Sequence, residues 1–146
     1  MASPLSCAPL GDWRAAVTTV LRTGIDLVDI EVVRRMIELS GDDYLASSWT
    51  DAERTYCEGH PERLASRWAA KEATMKALGH GIGEVSPLDV EIASAEGQMP
   101  TLLLRGNAAL FAEQLGVSTW SVSLTHEDRW ALAFVVGLGS TNHEHR

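Results

Sequence analysis

The stretch Arg67–Gly83, RWAAKEATMKALGHGIG, decides the fold. Its first eleven residues are dominated by alanine, lysine, glutamate and methionine, the side chains that cost least in a helix. Pro61 stands at the opening of the same run, where its missing N–H is harmless, and Gly79 closes it with the left-handed cap that glycine takes readily. The pattern predicts one long helix over 61–78. Ala69, Ala70, Ala73 and Ala77 keep it slim, so a neighbouring backbone or a ligand can come close.

Working outward, the flanks supply strands. Val17–Ile30 (VTTVLRTGIDLVDI) is rich in β-branched residues and reads as a strand. Asp29 then caps a helix over 31–39, closed by Ser40-Gly41. Thr50 with Glu53 three residues on is a capping box for a short helix. Beyond the glycines, 88–93 and 101–104 read as strands joined through Glu96-Gly97. Residues 107–115 read as a helix, and 118–125 with 130–136 as a terminal hairpin around Glu127-Asp128. This order predicts a single-domain α+β protein, with a mostly antiparallel sheet packed against the long helix. The domain is expected over 17–139, with a loose leader over 1–16 and a tail over 140–146.

A length of 146 residues suits one domain, and 45% hydrophobic against 22% charged residues suffices for a core. Twelve Lys+Arg against twenty Asp+Glu leave a net charge of -8. That balance argues against general binding to nucleic acid or to anionic membranes, where basic groups supply the affinity. Any anionic ligand must be held by a local basic cluster or a metal. Cys7 and Cys57 form neither a disulfide framework nor a CxxC metal site. The N-terminus lacks the basic and apolar regions of a signal peptide, and no apolar run approaches the roughly 20 residues of a membrane span. The expected location is the cytoplasm.

Three places carry residue types that folding alone does not require. Asp26 lies between Ile25 and Leu27 in a strand, and is either a strand-end carboxylate bonded to nearby backbone or a ligand for a hard cation. Glu72 and Lys76 are four apart on one helix face. They are either a solvent-exposed pair worth about 0.2–0.5 kcal/mol or a metal or proton site beside a phosphate contact. Arg67 and Lys71 read as a basic stripe alongside. Gly79, Gly81 and Gly83 either cap the helix or let backbone N–H groups approach a phosphate or adenine. His126, after Thr125 at a strand end, is a turn residue, a phosphate contact or a proton carrier. Neither GxGxxG, GxxxxGK[ST], HExxH nor a GxSxG elbow is present.

Taken in order, GIDLVDI, WTDAE, RWAAKEATMKALGHGIG and VSLTHE closely resemble holo-acyl-carrier-protein synthase, the family of small phosphopantetheinyl transferases. The resemblance runs from about residue 23 to 136. It implies the phosphopantetheinyl transferase fold and transfer of the 4'-phosphopantetheine arm of coenzyme A to a serine of an apo-acyl-carrier protein. Adenosine 3',5'-bisphosphate would be the second product, in the service of fatty acid synthesis. It further implies Mg²⁺ held by Asp26 and Glu72, with Lys76 at the leaving group. Coenzyme A would be contacted by Arg67, Lys76, Thr125, His126 and the glycines at 79, 81 and 83. Relatives are usually homotrimers with active sites between subunits, and dock the carrier on the helix after Asp26, which here offers Arg34 and Arg35. Departures include Val32 where arginine is common, Trp49 and Trp68 where phenylalanine is usual, and Arg63 in a frequent aromatic position. Val32 and the long leader prompt a rival reading, a transferase for a polyketide or secondary-pathway carrier; a rival of another class is a non-catalytic carrier- or coenzyme A-binding module of the same fold.

Overall fold

The computed structural model describes residues 17–142. Strand β1 (Val17–Asp29) leads into helix α1 (Ile30–Ser48), then α2 (Asp51–Cys57) and α3 (Pro61–Leu78). A single 3-10 turn at Pro87–Asp89 precedes β2 (Val90–Ala93). There follow β3 (Thr101–Leu104), α4 (Gly106–Gln114), β4 (Val117–His126) and β5 (Trp130–Asn142). Two antiparallel sheets result, one in the order β1-β5-β4 and one pairing β2 with β3. The expected α+β architecture with an antiparallel sheet against a long helix is what forms.

Local chemistry explains most boundaries. The Asp29 side chain accepts from Glu31 N at 3.0 Å and starts α1. Thr50 and Glu53 close a reciprocal capping box, Glu53 N to Thr50 Oγ1 at 3.3 Å and Thr50 N to Glu53 Oε2 at 2.9 Å. Gly79 ends α3 at φ 78°. Three expectations need correction. Helix α1 does not stop at Leu39. Gly41 breaks it with φ 53°, ψ -133°, and it resumes to Ser48 because Tyr44 and Leu45 pack against the buried Trp49 cluster. Leu88 and Asp89 belong to the 3-10 turn, where Ser86 Oγ accepts from Leu88 N at 3.2 Å. Strand β5 continues past Val136 to Asn142, paired with β1 out to Val17, so residues 140–142 are strand rather than tail. The leader over 1–16 and the last four residues lie outside the described residues.

Helix α3 is buried on nearly every side. It lies so close to β1 that a Cβ built on Gly24 would sit 1.7 Å from the Ala73 carbonyl oxygen. The small side chains Ala69, Ala70, Ala73 and Ala77 make this approach possible and enter the main core with Val85, Val90, Ile92, Val122, Ala133 and Val135. Arg22 Nε donates to Ala77 O at 2.8 Å and pins the C-terminal end of the helix to the strand. A second cluster gathers Ile30, Val33, Trp49, Cys57 and Leu64, with the Trp49 indole donating to Leu64 O at 3.1 Å.

Cys57 is wholly buried, and burial pushes its thiol up to about 11. In a Cys7→Ser variant, native protein at pH 8 should react with a thiol reagent only as fast as it opens, because the thiolate is the nucleophile. Labelling that matches the rate in denaturant would contradict the buried placement.

Candidate active site

On α3 the residues Trp68, Glu72 and Lys76, four apart, form the open stripe of an otherwise buried helix. A four-residue repeat stacks side chains along one face, so this stripe presents its groups to a single place. Beta-strand alternation does the matching work on β1. Ile25 and Leu27 point outward at 55% exposure each, while Asp26 turns inward at 9%.

The two elements bring Asp26, Glu72 and Lys76 together. Lys76 does not pair with Glu72 as a solvated i,i+4 couple. Its Nζ reaches across to Asp26 Oδ1 at 2.8 Å and donates to Ile25 O at 2.9 Å. Asp26 Oδ2 is buried and, among the described residues, has no hydrogen-bond partner. Burial raises the pKa of Glu72 above its usual range, and the neighbouring Asp26 charge pushes the same way. Lys76 and the Trp68 indole N–H oppose the shift. Tyr44, raised mainly by burial, also feels the Glu72 charge, and its ring meets Trp49 edge-on at 5.2 Å. Trp49 in turn lies 5.8 Å from Trp68, the rings tilted at 57°, so an aromatic cluster backs the carboxylate.

Two carboxylates held side by side, one with an unsatisfied buried oxygen, suit a hard divalent cation. No group of three or more His, Cys, Asp or Glu gathers to hold a metal among the described residues. Mg²⁺ fits this donor set, since it commonly takes one or two carboxylates and completes its shell with phosphate and water oxygens.

A cavity of about 380 Å³ opens beside the stripe, lined by Glu72, Met75, Lys76, Gly79, His80, Gly81 and Ile82. The predicted glycine turn therefore has two parts. Gly79 is the helix cap and a wall of the cavity, and Gly81 is a wall, while Gly83 stands outside the lining at φ 107°. The sequence reading passed over His80. Its ring stacks on Phe111 at 3.6 Å between centroids, and Nδ1 lies 3.1 Å from Glu84 Oε1, so it forms a rigid rim.

The remaining expected residues lie elsewhere in the single chain. The basic stripe of Arg67 and Lys71 is buried, not open to a ligand in the single chain. Arg67 is 5% exposed, donates to Arg63 O at 3.1 Å and Ser94 Oγ at 2.8 Å, and stacks on Tyr56 at 4.6 Å. It borders a second hollow of about 320 Å³ with Ser94, Ser121 and Ser123. Thr125 is exposed on β4, and His126 borders a third hollow with Arg34 and Glu62. Arg34 and Arg35 both pair with Glu31, at 3.3 and 3.6 Å. Lys71 is wholly buried beside Glu53.

Residues 22–135 match the family model described as the 4'-phosphopantetheinyl transferase superfamily. A holo-[acyl-carrier-protein] synthase of Herpetosiphon aurantiacus is 41% identical over 127 residues, covering 82% of this chain and all of that one. The Helicobacter pylori holo-[acyl-carrier-protein] synthase, solved in complex with coenzyme A, superposes with a TM-score of 0.71 at 28% identity. That match covers 79% of this chain and 98% of the other. The Bacillus anthracis synthase, solved with CoA (3',5'-ADP), superposes at 0.67 and 28% identity, covering 84% and 99%. With sequence, motif order and fold in agreement, the chain belongs to the 4'-phosphopantetheinyl transferase superfamily, among its holo-acyl-carrier-protein synthases.

Proposed function

We propose that this chain transfers the 4'-phosphopantetheine of coenzyme A to a serine of an apo-acyl-carrier protein, leaving adenosine 3',5'-bisphosphate. The observation that carries this reading is the Asp26–Glu72–Lys76 cluster, with its orphaned carboxylate oxygen, at the mouth of a nucleotide-sized cavity. The cavity lined by Gly79, His80, Gly81 and Ile82 takes the nucleotide end of coenzyme A. The serine oxygen forms a bond to the phosphorus that carries pantetheine, and the bond from that phosphorus to the bridging oxygen breaks. Lys76 offsets the charge gathering on the leaving phosphate. Glu72, whose proton affinity burial and Asp26 raise, accepts the serine proton directly or through a water beside it. Asp26 and Glu72 would hold Mg²⁺, which when bound withdraws charge from the pyrophosphate.

The assembly proposed is a homotrimer. The outer face of the main sheet carries Leu21, Ile25, Leu27, Phe134 and Leu138, each between 42% and 64% exposed. Contiguous apolar faces of this kind mark interaction sites on folded proteins. A neighbouring copy would supply the coenzyme A contacts at Arg67, Thr125 and His126 that one copy keeps apart from Glu72. Light scattering on the purified protein checks this: a monomer at working concentration with full activity contradicts it.

The carrier would dock on the first half of α1. Arg34 and Arg35 already share Glu31, so their charge is partly spent, and Val32 next to them is 56% exposed. Removing an exposed ion pair costs about 1 kcal/mol at most. Arg34→Ala and Arg35→Ala should therefore each raise the KM for carrier about fivefold at most. The KM for coenzyme A should stay unchanged. A matching rise in both KM values would remove α1 from docking. The reaction would serve fatty acid synthesis in the cytoplasm. No described helix is long and apolar enough to cross a membrane.

The direct test is a mass assay of apo-carrier incubated with this protein, coenzyme A and Mg²⁺. A gain of one phosphopantetheine, abolished by chelator, supports the reaction and the metal together. A gain only with a polyketide carrier would reassign the acceptor. Coenzyme A binding with no gain on any carrier would favour the non-catalytic reading.

A further inference from the structure

Lys71 is the residue before Glu72 and has no part in the chemistry above. It is also wholly buried. An ammonium has three protons to place, and here all three are placed. Nζ donates to Pro87 O at 2.8 Å and to Val90 O, and lies 2.8 Å from Glu53 Oε2. Glu53 is 1% exposed and equally occupied, accepting from Thr50 N and, through Oε1, from Ile92 N at 2.9 Å.

These bonds join four elements at one point: α2, α3, the 3-10 turn and β2. The joined segment 87–92 lies directly beyond the loop that lines the coenzyme cavity. That loop is itself folded by Glu84 N and Val85 N donating to Gly81 O at 3.1 and 3.0 Å. Gly24 holds α3 from the opposite side at Ala73. A helix gripped on two sides cannot rotate about its axis, and consecutive residues point about 100° apart. Fixing Lys71 toward 87–92 therefore fixes Glu72 and Lys76 toward Asp26.

We propose that Lys71, held by Glu53, is the positioning residue of the site: it sets the rotation of α3 and anchors the far end of the cavity loop. The inference rests on the transferase reading for what the site binds, but not for the geometry. Lys71→Met alone strands the Glu53 charge in the core, so the working variant is Lys71→Met/Glu53→Gln, with cooperative melting shown first.

Two readouts decide. Amide exchange across 79–92 should quicken at least tenfold while the β4–β5 hairpin keeps the parent rates. The Kd for coenzyme A, by calorimetry, should weaken at least tenfold. Parent-like exchange over 79–92, equal quickening everywhere, or an unchanged Kd in the folded variant each overturns the proposal. If the parent itself binds no coenzyme A, the transferase reading fails, and the exchange pattern alone then decides the role of Lys71.

Discussion

Replacing Glu72 with glutamine should lower phosphopantetheine transfer by about a hundred- to ten-thousand-fold, the range that a positioned acid–base group supplies. The same change should leave stability intact or improve it. Burial and the Asp26 charge disfavour the ionised Glu72 in the folded state, so its folded pKa lies above its unfolded one. Such a group favours the folded state below the unfolded pKa, and that gain is lost as pH rises through the folded pKa. Without metal, the parent should therefore become relatively more stable as pH falls from neutrality toward the ordinary glutamate range. Glu72→Gln, unable to ionise, should lose that slope and melt higher than the parent at pH 7. Melting curves in chelator between pH 5 and 8, beside transfer rates with Mg²⁺, give both halves. Activity within tenfold of the parent would remove Glu72 from the chemistry, and a lower melting point would mean that it is a structural anchor instead.

Gly24→Ala should have the largest effect on folding. The added carbon would lie 1.7 Å from Ala73 O, 2.7 Å from Ala73 C and 3.1 Å from Ala77 N, all helix backbone with no flexible end to yield. Forcing an extra group into a packed core costs about 1–3 kcal/mol, and a methyl driven against unyielding backbone lies at the upper end. Relief requires α3 to move off β1, which separates Asp26 from Glu72 and Lys76. Denaturant unfolding should show a loss of about 3 kcal/mol. Turnover of the molecules that remain folded should fall as well. An unchanged midpoint would mean that α3 and β1 are not so closely seated.

What was readable in the chain followed from how local each cause is. The Thr50–Glu53 capping box, the Asp29 cap and the Gly79 stop involve neighbours within a few residues, and all form as the residue order predicts. The Asp26–Lys76 contact spans fifty residues; motif order placed Asp26, Glu72 and Lys76 in one site but did not foretell this pairing. Arg67 and Lys71 read as a basic stripe, and helix periodicity says nothing of what covers such a face. The cover comes from Ser94, Pro87 and Val90, 16 to 27 residues on, and from Glu53. Gly41 was read as a stop, and it does break the backbone. Its sequel resumes as helix because Trp49 gives Tyr44 and Leu45 a partner, a tertiary cause absent from the local pattern. His126, which lies in a hollow with Arg34 and Glu62 and not beside Glu72, has no local pattern that foretells its neighbours.

The break at Gly41 also bears on how such a chain can change over generations. The helical path of α1 is kinked there, which divides the outward-facing turns with Val32, Arg34, Arg35, Met36 and Leu39 from the turns with Tyr44 and Leu45 that pack on the Trp49 cluster. If the first half of α1 docks the carrier as proposed, acceptor preference would drift by surface replacement there while the proposed reacting groups stay fixed.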